Sequence, residues 1–191
     1  MKNIEKAVEI LKNGGIIIYP TDTAFGIGCS LNNEVSIRKL YKLLKRPEDM
    51  ASPVLFDSIE RVEEYVQIEP RVRQLTNKYW PGPLTIILNC NREKVPSPVR
   101  DDGNTLGVRI ADHKIPIEII KRANVPILGT SANFHGGKTP FLFSELDKRL
   151  IKLVDFVVEG KTKGKRQTST IVDCTKYPWK IIRQGQTLLD L

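Results

Sequence analysis

Four stretches of the sequence concentrate groups that bind or neutralise anions. Tyr19-Pro-Thr-Asp-Thr-Ala-Phe-Gly-Ile-Gly28 sets two hydroxyls around a carboxylate, then adds two glycines that permit close backbone approach. Thr105-Leu-Gly-Val-Arg109 places an arginine in an otherwise apolar run, where it needs a buried anionic partner or a carboxylate ligand. Lys45-Arg46-Pro47 ends a helical pattern on two cations. These either serve the helix dipole or, with Arg46 held extended by the following proline, aim a guanidinium at a fixed target. Thr130-Ser-Ala-Asn-Phe-His-Gly-Gly-Lys-Thr139 offers hydroxyl and amide donors, with backbone amides around Gly136 and Gly137 as anion ligands.

Two familiar nucleotide motifs are approached and missed. Gly137-Lys138-Thr139 matches the end of a phosphate-binding P-loop, but Ala132 stands where its first glycine is required. Asp155 follows an apolar strand pattern as a second metal-side aspartate would, a coincidence common by chance. Gly26 and Gly28 begin a dinucleotide fingerprint whose third glycine is replaced by Leu31. Three scattered cysteines (Cys29, Cys90, Cys174) and two histidines (His113, His135) form no zinc-ligand spacing, so no metal held by protein side chains is expected.

The elements that must position these groups alternate between helical and strand periodicity. An amphipathic helix with Ile4, Ala7, Val8 and Leu11 on one face ends at Gly14-Gly15, and Ile16 to Tyr19 reads as a strand. Pro20 ends that strand, and a polar loop leads to a helix over about 33 to 45. Further strands are expected at 54–56, 85–88, 106–110, 125–129, 153–158, 169–173 and 179–183, and helices at 58–65, 69–79 and 115–123. The last strands follow too closely for helical crossovers, so the expected fold is one α/β domain over 1–191 with a mixed sheet. Trp80-Pro-Gly-Pro83 reads as a structural turn between helix and strand.

With 191 residues, 40% hydrophobic and 27% charged, the chain suits one soluble globular domain. No apolar run approaches a membrane span and the N-terminus lacks a signal peptide, so a cytoplasmic protein is expected. The net charge of +8 is uneven: residues 160–166, GKTKGKR, hold four cations between glycines. That stretch reads as a mobile loop, either solvated surface or a steering patch for polyanions such as nucleotide phosphates or RNA.

Taken in order, YPTDTAFGIG, WPGPLTIIL, LGVRIADH, TSANFHGGKTP, STIVD and IIRQG resemble the signatures of the YrdC domain family, the threonylcarbamoyl-AMP synthases of tRNA modification. The resemblance runs from about residue 3 to 185 and is to the short form. It implies a twisted mixed sheet flanked by helices, with an open basic concave cleft. The implied reaction joins L-threonine, bicarbonate or CO2 and ATP into threonylcarbamoyl-AMP, releasing pyrophosphate. A transferase complex then uses the product at position 37 of tRNAs.

Carried over by motif, Thr23, Arg109, Gly129 and Ser169 are the implied threonine-binding residues. Arg46, Met50, Thr105, Ser131, Thr139 and Arg183 are the implied ATP-binding residues, with Mg2+ accompanying the nucleotide. Arg46 matches the arginine of the family's K-x-R motif, but Leu44 stands at its lysine, and Lys45 or Lys42 is left to substitute. Lys45 and Arg46 are the implied catalytic cations. Direct tRNA contact is a further expectation of the basic charge. The competing readings are a weak or inactive relative that binds RNA, and an accessory carbamoyl-transfer domain.

Overall fold

The computed structural model describes residues 2–47, 50–100 and 104–190. Glu48 and Asp49, beside the altered K-x-R stretch, lie outside the described residues.

The amphipathic N-terminus forms α1 (Lys2–Lys12), which buries Ala7 and Leu11. Gly14, at φ 78°, turns the chain into β1 (Ile17–Pro20), and β2 (Phe25–Ser30) pairs back on it antiparallel. Helix α2 (Glu34–Leu44) starts at Asn33, whose side chain accepts from the Ser36 amide at 3.0 Å, and ends at Lys45 in a left-handed conformation. There follow β3 (Val54–Leu55), α3 (Ile59–Glu63), α4 (Pro70–Tyr79), β4 (Leu84–Asn89), β5 (Thr105–Arg109), α5 (Lys114–Ala123) and β6 (Ile127–Ser131). The chain then forms α6 (Lys148–Ile151), β7 (Phe156–Val157), β8 (Thr170–Asp173) and β9 (Lys180–Arg183).

The nine described strands form one sheet in the order β7-β1-β2-β6-β3-β5-β4-β8-β9. The pairs β1–β7, β3–β5 and β4–β8 are parallel and the others antiparallel, so the sheet is mixed. Side-chain alternation divides its two faces. Ile18, Phe25, Ile27, Cys29, Val54, Ile86, Val108, Leu128 and Val172 point to one face, where α2, α3 and α4 cover them with Ile37, Leu40, Tyr41, Val62, Val72 and Leu75. Ile17, Tyr19, Leu55 and Ile127 point to the other, under Ala7 and Leu11 of α1 and Ile119 and Ile120 of α5.

That second helical layer covers only the β7-to-β3 part of its face. Over β5, β4 and β8, the positions on the same side are Thr105, Gly107 and Arg109, then Thr85, Ile87 and Asn89, then Ile171 and Asp173. They line open cavities. The polar half of each strand's alternation thus marks where the layer is missing.

Two expectations are corrected. Residues 25–30 form a fully buried strand, with only Thr21 to Ala24 as the turn before it. The glycines there make room for neighbouring chain: a Cβ on Gly28 would stand 2.1 Å from the Leu128 carbonyl oxygen of β6. The basic stretch 160–166 packs as a strap on that same turn, with Lys163 N–H donating to the Thr21 carbonyl at 3.2 Å. A Cβ on Gly164 would lie 2.4 Å from the Thr23 carbonyl oxygen, so the glycine there serves close contact.

His113 ties this strap to α5. The Ile115 amide donates to its Nδ1 at 3.2 Å, so Nε2 carries the proton and donates to the Lys161 carbonyl at 3.0 Å. Burial, aided by Lys163, holds the imidazole below its ordinary 6.5, against the Lys161 carbonyl, Asp22 and Asp112, which favour the charged form. The unfolded chain therefore binds the proton first, and the contribution is complete above about 6.5 and lost as pH falls toward the depressed native value.

Gly28→Ala is expected to destabilise the fold by on the order of 2 kcal/mol, read from the denaturant midpoint. His113→Asn keeps a good helix cap without the titration. Its melting temperature should fall less than that of the parent chain between pH 7.5 and 5.5; parallel curves would remove His113 from the pH response.

Candidate active site

The turn after β1 is built from its own hydroxyls. Thr21 Oγ1 donates to the Ala24 carbonyl at 2.7 Å and accepts from the amides of Thr23 and Ala24 at 3.1 and 3.3 Å. This aims Asp22 and Thr23 at the end of β5, where Arg109 is buried. Arg109 Nη2 donates to Asp22 Oδ1 at 2.5 Å, Nη1 to Thr23 Oγ1 at 3.2 Å, and Nε to the Gly82 carbonyl at 3.1 Å. The Trp80-Pro-Gly-Pro83 turn, expected to be structural, therefore also fixes the guanidinium. Burial lowers the Arg109 pKa while Asp22 raises it, and arginine remains charged under both.

A cavity of about 260 Å³ opens over this group. Its lining brings together Thr23, Arg46, Arg109, Gly129, Ser131, Thr139, Ser169 and Arg183, drawn from six separated stretches of chain. Arg183 reaches in from β9 and is anchored by Nε and Nη2 on the Ser169 carbonyl, at 3.1 and 2.9 Å, while the Ser169 hydroxyl meets Thr85 Oγ1 at 3.0 Å. Burial, then the nearby Arg109 charge, lowers the Arg183 pKa. Arg46 donates through Nη2 to the Ala51 carbonyl at 2.8 Å and through Nε to the Met50 carbonyl at 3.3 Å. Three guanidinium groups thus line one small space, and Asp22 neutralises one of them. Such a space attracts an anionic ligand.

Three expected residues fall elsewhere. Thr105 lines an adjoining groove of about 420 Å³, which shares Ala51, Pro53, Thr85 and Ile171 with the cavity. Met50 lines a smaller pocket of about 180 Å³ that shares Arg46 and Ser131. Lys45 lines none of these spaces; it caps α2, its amide donating to the Lys42 and Tyr41 carbonyls. Lys42 is exposed and does not line them either. Residues 137–142 form no helix, so Gly137-Lys138-Thr139 is not a P-loop. Asp155 is tied up structurally, accepting from the Ile16 amide at 2.8 Å.

A family model named Sua5_yciO_yrdC, described as telomere recombination, matches residues 9–185. The chain belongs to the Sua5/YciO/YrdC family. It is 31% identical over 188 residues to a protein from Vibrio cholerae serotype O1 named threonylcarbamoyl-AMP synthase, covering 97% of this chain and 98% of that one. Its fold superposes on Sua5 from P. abyssi complexed with L-threonine with a TM-score of 0.88 at 25% identity, covering 95% of this chain. The chain spans about half of that Sua5, 54% of its length. E. coli YciO superposes with a TM-score of 0.87 at 25% identity, over 96% of this chain and 89% of that one.

Within this Sua5/YciO/YrdC site, motif reasoning passed over Asp22 and Tyr19. Asp22 was visible as the carboxylate of the PTDT turn, and an arginine in an apolar strand calls for such a partner. Tyr19 opens the YPTDTAFGIG signature but reads only as the last residue of a strand. Asp22→Ala would leave the Arg109 charge buried without its counter-ion, and a loss of about 3–5 kcal/mol is expected in chemical denaturation.

Proposed function

We propose that the chain is an L-threonylcarbamoyladenylate synthase, a nucleotidyltransferase that makes threonylcarbamoyl-AMP from L-threonine, bicarbonate or CO2 and ATP. The observation that carries this reading is the convergence of eight motif residues on the one cavity beneath which Arg109 is fixed. Relatives bearing that name match the chain over nearly its whole length.

In this reading Arg109 and Thr23 receive the threonine carboxylate. The threonine nitrogen adds to CO2 with loss of a proton, and a carbamate oxygen attacks the α-phosphorus as pyrophosphate leaves. Arg46 and Arg183 offset the charge that gathers on the phosphates, with Ser131 and Thr139 as hydroxyl donors. The groove beside Thr105 extends the space toward the nucleoside. Such chemistry needs orientation and charge neutralisation more than a side-chain nucleophile. Cys29 and Cys174 suit no such role, since burial pushes both thiols up to about 12.

The donor set here is arginines and hydroxyls, and no described group of three His, Cys, Asp or Glu side chains gathers to hold a metal. This fits Mg2+ arriving on the phosphate oxygens of ATP, where it would supply further charge neutralisation. The basic cleft, delivery of the product to a transferase complex acting at position 37 of tRNAs, direct tRNA contact and a cytoplasmic setting belong to the same proposal. No described helix is long and apolar enough to cross a membrane.

The protein with ATP, bicarbonate and Mg2+ is expected to release pyrophosphate only when L-threonine is added. Release without threonine would count against this reaction, and no release would favour a binding protein over an enzyme. Arg109→Lys keeps a charge opposite Asp22 but loses the planar fork. It should raise the threonine KM by about tenfold or more with a smaller change in the ATP KM.

A further inference from the structure

Tyr19 is fully buried, yet it lines the cavity. Its ring crosses β2 over Gly26, its register partner, and carries the hydroxyl to Gly129 on β6. A Cβ on Gly26 would stand 3.0 Å from the ring, and one on Gly129 would stand 2.3 Å from the phenol oxygen. Two strands therefore give up side chains so that this one hydroxyl can reach the cavity wall. Once there it finds no partner among the described residues.

A buried hydroxyl without a partner loses its water and gains nothing in return. A phenylalanine would fill the same space without that loss, so packing alone does not account for the oxygen. Burial also raises the phenol far above its ordinary pKa, so it stays protonated and can both donate and accept. Leu55 stands beside it: its Cγ would lie 3.7 Å from the same Cβ position on Gly129. A neutral hydroxyl thus adjoins an apolar branch at the cavity wall.

We infer that Tyr19 is a specificity-determining residue, whose phenol pairs with the side-chain hydroxyl of a β-hydroxy amino acid while Leu55 meets its methyl. This rests on the proposed function, in which Arg109 takes the carboxylate and the amine faces the phosphates. The β-hydroxyl is then the one polar group of threonine still in need of a protein partner. A site with a buried hydroxyl rejects an analogue that lacks the matching group, because the phenol is again left unpaired.

The test compares L-threonine with L-2-aminobutyrate, which differs only in lacking the β-hydroxyl, by calorimetric binding and by pyrophosphate release. The parent protein should prefer threonine by about tenfold to a hundredfold. Tyr19→Phe should lose most of that preference through weaker threonine binding, with 2-aminobutyrate changed by about twofold or less. Its melting temperature should equal or exceed the parent's, since only an unpaired hydroxyl is removed. An unchanged preference, or an equal loss for both amino acids, overturns the assignment. Should the variant fail to fold, near-equal affinity of the parent protein for the two amino acids does the same. Selective threonine binding without pyrophosphate release would sink the proposed reaction while supporting Tyr19.

Discussion

The buried pair between Arg109 and Asp22 is the constraint around which the site is assembled. A guanidinium inside a sheet cannot shed its charge, and in the absence of a carboxylate its burial would be prohibitive. Asp22 can stand there only because Thr21 closes a tight turn between β1 and β2. The remaining Nε–H requires the Gly82 carbonyl, which places the proline-flanked turn before β4. Outside the turn, the strap at 160–166 packs on its backbone and is held in turn by His113, four residues after Arg109. One ion pair thereby links β1, β4, β5 and the crossing from β7 to β8. A pair of this kind contributes little net stability against a well-packed apolar replacement, so its value lies in fixing a cation at a defined place.

The sheet explains why that place is accessible. One face is buried under α2, α3 and α4 from β1 across to β8, whereas α1 and α5 cover only part of the other. Strands under both layers, such as β1 and β2, are buried at every position. Strands beyond the edge of the second layer alternate, with Leu84, Ile86 and Leu88 inward and Thr85 and Asn89 outward. The open part of the sheet needs groups that tolerate water, and those same hydroxyls, amides and the arginine are the ones able to bind a polar ligand. Fold stability and ligand chemistry are satisfied by one alternation.

Much of this was legible in the sequence, for reasons that also mark where legibility ends. The strands expected at 85–88 and 106–110 form over 84–89 and 105–109, and the family resemblance picks out Thr23, Arg46, Arg109, Gly129, Ser131, Thr139, Ser169 and Arg183, which the fold does bring to one cavity. What failed were inferences from composition without register. Gly26 and Gly28 read in the sequence as part of a ligand loop whose backbone a bound group could approach closely. Their actual constraint is a strand and an aromatic ring less than a side chain away. The four cations of 160–166 looked mobile because they stand between glycines, yet Gly160 and Gly164 are places where Pro20 and Thr23 leave no room for a Cβ. Lys45 was assigned by its neighbour in sequence, but the left-handed turn that ends α2 separates it from Arg46 in direction.

The same close approaches bear on what chemistry the site can support. Among the described residues, the lining of this cavity of glycine backbone, hydroxyls and guanidinium groups includes no thiol or imidazole, and the buried Cys29 thiol is held protonated by burial. Selection among small zwitterions must then come from fixed donors and acceptors that are each left unsatisfied without the right ligand. Arg109 is satisfied only in part by Asp22, Thr23 and Gly82, which leaves N–H groups for a carboxylate. The Tyr19 hydroxyl has no partner among the described residues. A protein that holds such groups in place pays for them in stability, and it does so here through glycines at 26 and 129 that serve the position of a single oxygen. The cost falls on the free protein and is returned on binding, so it adds to discrimination among ligands more than to the fold.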